Sequence, residues 1–150
     1  MAALTTGQVR ALTPDQVMAL TTSEAAALTT SQVVALTSVQ MGALELVDLA
    51  ALTTSQTVAL TTAQVRGLTP DQVVALTSSQ VVSLTTGQLV AMVAGQISLL
   101  RTADVGALST SQVVSLTSAQ VSALTLEQVT ALSTSQVACL LYTSPSPRDS

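Results

Sequence analysis

Glu45 and Asp48 are the two acids in this 150-residue chain best spaced for joint chemistry, because a separation of three residues puts both carboxylates on one helix face. Such a pair could mark a specialised recognition unit. The competing reading is repeat drift, in which a short Asp replaces a Gln at a helix N-terminus, where an acid is still welcome. Fifty-six residues further on, the same two positions hold Arg101 and Asp104. The remaining acids are dispersed, there is no histidine, and the single cysteine, Cys139, stands near the end. Catalysis needs a nucleophile with its base, a carboxylate pair or a metal cluster, so most triads and zinc sites are excluded. No catalytic, cofactor-binding or metal-ligating residue is expected, and the chain is read as a non-enzyme. The abundant Thr and Ser hydroxyls are helix caps first. A ladder of hydroxyls that templates ice or sugar is the alternative.

Composition narrows the class further. Phe, Trp and His are absent and Tyr142 is the only tyrosine, so any interior is built from Leu, Val and Ala. Four arginines stand against eight acids with no lysine, for a net charge of −4. Backbone binding to nucleic acid requires clustered cations, and none are clustered here. The uninterrupted apolar stretches are far shorter than the roughly twenty residues of a bilayer span. Neither a nucleic-acid partner nor membrane insertion is expected.

What must position these side chains is an octapeptide repeat. Leu4, Leu12, Leu20 and Leu28 open a series that continues every eight residues to Leu132, interrupted only by Met92, with the consensus Leu-Thr-Thr-Ser-Gln-Val-Val-Ala. Counting from that Leu, position 2 is Thr or Ser in fourteen of seventeen octads and position 5 is Gln or Glu in fifteen. This spacing is a capping box: the hydroxyl accepts from the backbone N–H three residues on, and the Gln or Glu side chain accepts from the cap N–H. The flanking Leu at position 1 and Val at position 6 stand where a hydrophobic staple fixes the chain's approach to the helix. Pro14 and Pro70 fall at the first helical residue, where proline is tolerated, and Asp15 and Asp71 follow at the positive end of the helix dipole. The sequence therefore predicts one helix of about two turns per octad.

A continuous helix fails on geometry, because eight residues overshoot two turns by about 80° and the Leu stripe would spiral around the rod. Strands preserve an even period, but neither strand face would be clean and proline would fall inside. The expected fold is all-α, an α-solenoid of very short helices, with a β-solenoid as the alternative. Isolated helices this short do not persist in water, so stacking must supply the stability. Small residues at position 8, mostly Ala, would let helices approach closely. Position 7, which varies from Arg10 through Val34 and Gly42 to Thr130, is expected to face solvent or a shallow groove.

The chain also matches itself at an offset of fifty-six residues: Arg10 meets Arg66, Pro14 meets Pro70 and Asp48 meets Asp104. A block of seven octads, an odd number, would swap the roles of two unlike helices, so the octads are read as equivalent. Two octads per coil are expected, with three as the alternative. Residues 1–138 form the array, read as a fragment of a longer one. Residues 139–150 resemble the in-frame translation of a transposase-type adapter used in DNA library preparation, which implies a non-native, disordered tail.

Leu68-Thr-Pro-Asp-Gln-Val-Val-Ala75 resembles the opening helix of the repeats in TAL effectors, and Leu12 to Ala19 nearly does. That family's longer period and base-reading loop have no counterpart here, so DNA recognition does not carry over. From residue 4 to residue 138 the array is similar to Ala-Leu-Thr-Thr-x-Gln-Val repeats of very large bacterial proteins, often secreted or surface-associated. The resemblance implies an extended spacer or adhesin stalk at the cell surface or outside the cell, with flanking repeats of the same chain as its partners. The alternative function is a scaffold whose repeat groove takes a peptide or glycan.

Overall fold

The computed structural model describes residues 3–143, and among them the chain forms seventeen helices, α1 to α17, and no strand. Each octad contributes one helix of four to six residues, except α17 (Thr134–Thr143), which runs longer. The helices start where the sequence chemistry puts them. Pro70 opens α9 (Pro70–Ala75), with Thr69 as its cap and Asp71 in its first turn.

The corner between helices is short. Leu36, which closes α4 (Thr30–Ala35), has φ −63° and ψ 135°, and Thr37, which opens α5 (Ser38–Ala43), has φ −77° and ψ 164°. Two extended residues thus separate one helix from the next; the same corner recurs at most junctions, while at others an αR residue such as Ala11 or Gly67 comes first.

Two octads per coil is not what forms. The helices that pack closely are three apart: α1 (Thr6–Arg10) with α4, α2 (Pro14–Met18) with α5, α3 (Thr22–Ala26) with α6 (Leu46–Ala51), and so on to α14 (Thr110–Ser115) with α17. The solenoid has three octads to a coil. Two per coil would need each corner to reverse the chain, and the two-residue extended corner turns it by less, so three turns close the path. A block of seven octads is then two coils plus one helix. Features repeated fifty-six residues apart therefore land on different faces, as Arg10 on α1 and Arg66 at the end of α8 (Thr62–Arg66) show.

Inside the coil lie the side chains of position 6, such as Val33, Met41 and Leu49, and of position 1, such as Leu36, Leu44 and Leu52. Position 7 faces outward, with Val34, Val58, Val74 and Val82 all exposed. At one point close approach depends on a small residue: a Cβ at Gly106 would stand 2.8 Å from the carbonyl oxygen of Ala131, the position-8 residue one coil away. Helix α17 continues through Cys139 to Thr143, five residues into the stretch read as a disordered tail. No hydroxyl-and-glutamine pair recurs there to start a new octad. The rest of that stretch, 144–150, lies outside the described residues.

Candidate functional site

Each regular octad closes the box expected from its spacing. In α9 the Thr69 hydroxyl accepts from the Gln72 N–H at 3.2 Å while the Thr69 N–H donates to Gln72 Oε1 at 2.9 Å. That uses only the carbonyl half of the glutamine amide.

The other half reaches across the stack. Gln72 Nε2 donates to the carbonyl oxygens of Met41 at 2.7 Å and Leu44 at 3.0 Å, 31 and 28 residues earlier. Gln40 does the same to Val9 and Leu12, Gln56 to Ala25 and Leu28, and the pattern runs on to Gln136 with Val105 and Leu108. These carbonyls close a helix: the first already accepts the backbone N–H three residues on, as Met41 does from Leu44 at 3.2 Å, and the glutamine adds a second donor there and one at the residue that ends the turn. One buried amide therefore starts its own helix and ends another four octads back. Sequence reasoning missed this clasp, although a signal for it was present. A capping box needs only an acceptor at position 5, and glutamate would serve; glutamine, in fourteen of seventeen octads, adds a donor.

Three octads depart from the pattern at position 2, and two of these also at position 5. In the octad of α12 (Ala94–Ile97), Val93 has no hydroxyl, so half the box survives: Val93 N–H donates to Gln96 Oε1 at 2.9 Å, and the clasp to Val65 and Leu68 is intact. In the octad of α13 (Thr102–Ala107), Asp104 cannot donate. Arg101 supplies the donor instead, its Nη2 bonding the Leu76 carbonyl at 2.6 Å and its Nε bonding Asp104 Oδ2 at 3.0 Å. The Ser78 hydroxyl donates to Asp104 Oδ1 at 2.6 Å. The buried carboxylate is thus held by an arginine from its own helix start and a serine from another coil.

The octad of α6 has no such repair. Glu45 stands at the cap without a side-chain hydrogen bond, and Asp48 is buried, 1% exposed, with its Oδ2 lacking any hydrogen-bond partner. Burial pushes the Asp48 carboxyl above its ordinary value, and the charges of Glu45 and then Glu24 push it further the same way. Glu24, the position-5 residue one coil below, moves oppositely, because the Thr21 N–H and then the Thr21 hydroxyl bond its carboxylate. The sequence pair Glu45 and Asp48 does share one helix start. Beside it is a hollow of about 510 Å³ whose lining includes Met18, Gly42, Glu45, Val47 and Asp71.

Among the described residues, no group of three or more His, Cys, Asp or Glu comes together to hold a metal, and no helix is long and apolar enough to cross a membrane. Arg10 and Arg66 lie on separate faces and Arg101 is occupied in its clasp.

A regular octad with one box and one clasp, stacked three to a coil, is therefore the unit of which this chain is made. The family model of the ALTTAQ repeat matches residues 1–38, 41–78 and 97–134. The chain belongs to the ALTTAQ repeat family. The matches begin at Met1, Met41 and Ile97, all at position 6 of an octad, so the ALTTAQ register agrees with the helices. The second and third matches are fifty-six residues apart, the offset of the seven-octad block. No curated protein and no solved structure matches the chain. The ALTTAQ assignment shows a repeat region, and the structure makes its repeats helices.

Proposed function

We propose that this ALTTAQ array is a non-enzymatic spacer or stalk, part of a larger secreted or surface-displayed bacterial protein. The observation that carries this reading is the packing itself: each helix contacts chiefly the helices three before and three after it, and each clasp reaches only four octads back. A structure whose contacts are all between neighbours along one axis adds length with every octad and changes nothing else. At roughly 8–10 Å between stacked helices, seventeen octads span about 50 Å. The sequence likeness to repeats of large secreted and surface bacterial proteins supports the placement.

Small-angle X-ray scattering tests it on the whole chain and on a tandem fusion of two arrays. A stiff rod whose length doubles in the fusion is expected; a globular profile, or two arrays folded against each other, overturns the spacer.

One observation favours a binding scaffold as the second reading. Val34, Val58 and Val82 recur 24 residues apart on one face, and a hollow of about 470 Å³ lined by Thr30, Ser31, Val34 and Ala59 lies beside them. A peptide or glycan seated there would lose affinity on Val58→Glu, which leaves the buried face untouched.

A further inference from the structure

The clasp defines what residue 48 has to face. Gln40 and Gln56, one octad to either side, place their amide nitrogens on carbonyls 31 and 28 residues earlier. In the same register residue 48 faces the carbonyls of Val17 and Leu20, at the end of α2. Every other octad from Leu28 onward brings a donor to those carbonyls, either a glutamine amide or the Arg101 guanidinium. The octad of α6 brings a buried carboxylate with an unpartnered oxygen, with a second carboxylate at its cap. The charges that act on Asp48, those of Glu45 and Glu24, are also negative.

We propose that this octad binds a hard divalent cation of the calcium type, held between the Glu45 and Asp48 carboxylates and the helix-end carbonyl oxygens of Val17 and Leu20. The cation takes the place that the Arg101 guanidinium occupies seven octads later, where one positive group touches both a carbonyl and the buried Asp104. All the available donors are oxygens, which select calcium or magnesium over softer metals. Two carboxylates, carbonyls and water suit calcium's high and flexible coordination better than magnesium's rigid octahedron, and of these groups Glu45 also lines the neighbouring hollow. With only two carboxylates the affinity belongs in the weak range of extracellular modules, about 0.1–1 mM. The site is independent of whether the array serves as a spacer or a scaffold.

The test uses the full chain, stripped with chelator at neutral pH. Isothermal titration with calcium chloride should show one saturable site, and millimolar calcium should raise the melting temperature. Magnesium chloride at equal ionic strength should raise it less. Glu45→Thr combined with Asp48→Gln restores the regular octad, so it folds without a cation and should lose both responses. Two results overturn the proposal: no saturable binding at millimolar calcium, or an equal rise in that double variant, which would be charge screening. A third also does: a chain indifferent to calcium but markedly stabilised by acid, with Asp48→Asn removing the effect. Asp48 would then act as a neutral acid whose O–H replaces the glutamine donor.

Discussion

The octad from Leu100 to Ala107 carries an arginine where the cap threonine belongs, and the octad from Leu44 to Ala51, seven octads earlier, carries a glutamate at that position. Both have aspartate in place of the clasping glutamine, and both aspartates are buried. In the later octad the arginine bonds the carboxylate and the helix-end carbonyl, so the loss of the amide is repaired within the chain. In the earlier one Glu45 forms no cap hydrogen bond and Asp48 Oδ2 is left without a partner. The difference separates the two duties of position 5. Starting a helix tolerates an acid, because the helix dipole favours it and the cap N–H donates to it, as Thr21 does to Glu24. Closing the helix four octads back does not, because a carbonyl facing a carboxylate is two acceptors without a proton.

The largest effect is expected from removing the repair. Arg101→Ala leaves Asp104, 2% exposed, with only the Ser78 hydroxyl, and strips the Leu76 carbonyl of its donor. Breaking a fully buried pair costs about 3–5 kcal/mol, but the Arg101 side chain is half exposed, so a loss of about 2–3 kcal/mol is expected from the urea midpoint. Glu45→Ala in the earlier octad, measured without calcium, should cost nothing or stabilise slightly, because it removes a like charge. Equal losses at the two sites would abolish the contrast.

Next comes the restoration. Glu45→Thr with Asp48→Gln supplies a cap hydroxyl and a clasp amide together, and should gain about 1–2 kcal/mol in calcium-free buffer. The Val17 carbonyl already accepts the Leu20 N–H at 3.1 Å, so no gain would mean that a glutamine donor added at these two carbonyls contributes nothing.

The pH response sharpens the same comparison. Asp48 is raised in the folded chain above its ordinary 3.8, so the folded state holds a proton that the unfolded state releases. Stability from this group is therefore present at low pH and is lost as pH rises through the interval from the ordinary value to the raised one. Without calcium, the melting temperature of Asp48→Asn relative to the parent should climb over that interval and level off above it. Glu24 works in the opposite direction: its carboxyl is lowered, so its contribution is present above the ordinary value and fades as pH falls through the lowered one. Measuring the difference between Asp48→Asn and parent cancels the Glu24 contribution.

What was legible in the sequence was whatever is settled within one octad. The Leu period, the Thr-to-Gln spacing and the proline at the first helical position each act over three or four residues, and together they yield short helices and an all-α solenoid. Position 7 reads as outward, and Val34 and Val74 are exposed. The coil number was not legible, because it depends on the angle through which the Leu36–Thr37 corner turns, and equivalent octads fit two or three per coil equally well. The clasp was hidden for a related reason. Its partners lie 28 and 31 residues away and are backbone carbonyls, which carry no sequence signature. Only the preference for glutamine over glutamate pointed to it. Asp48 read as drift because a helix start alone has no objection to a short acid; its cost appears only when α2 is placed beneath it.

The smallest effect is expected at Val93, where the cap hydroxyl alone is missing. The clasp of Gln96 is intact, and the Val93 N–H still donates to Gln96 Oε1. The Gln96 N–H, deprived of a hydroxyl, turns to the Val93 carbonyl at 2.9 Å, as Asp48 N–H does to Glu45 and Asp104 N–H to Arg101. A polar group already paired gains little from a better partner, and Val93 is 43% exposed, so a threonine there sacrifices little burial. Val93→Thr should therefore stabilise by about 0.5 kcal/mol, at the low end for an N-cap. Hydrogen exchange should slow at Gln96 and Ile97 and stay unchanged at Leu68, whose carbonyl the clasp already holds. If this single substitution gained as much as Glu45→Thr with Asp48→Gln, the cap would account for the whole effect at both sites. The second duty of the glutamine would then carry no weight, and the two aspartate octads would differ only in charge.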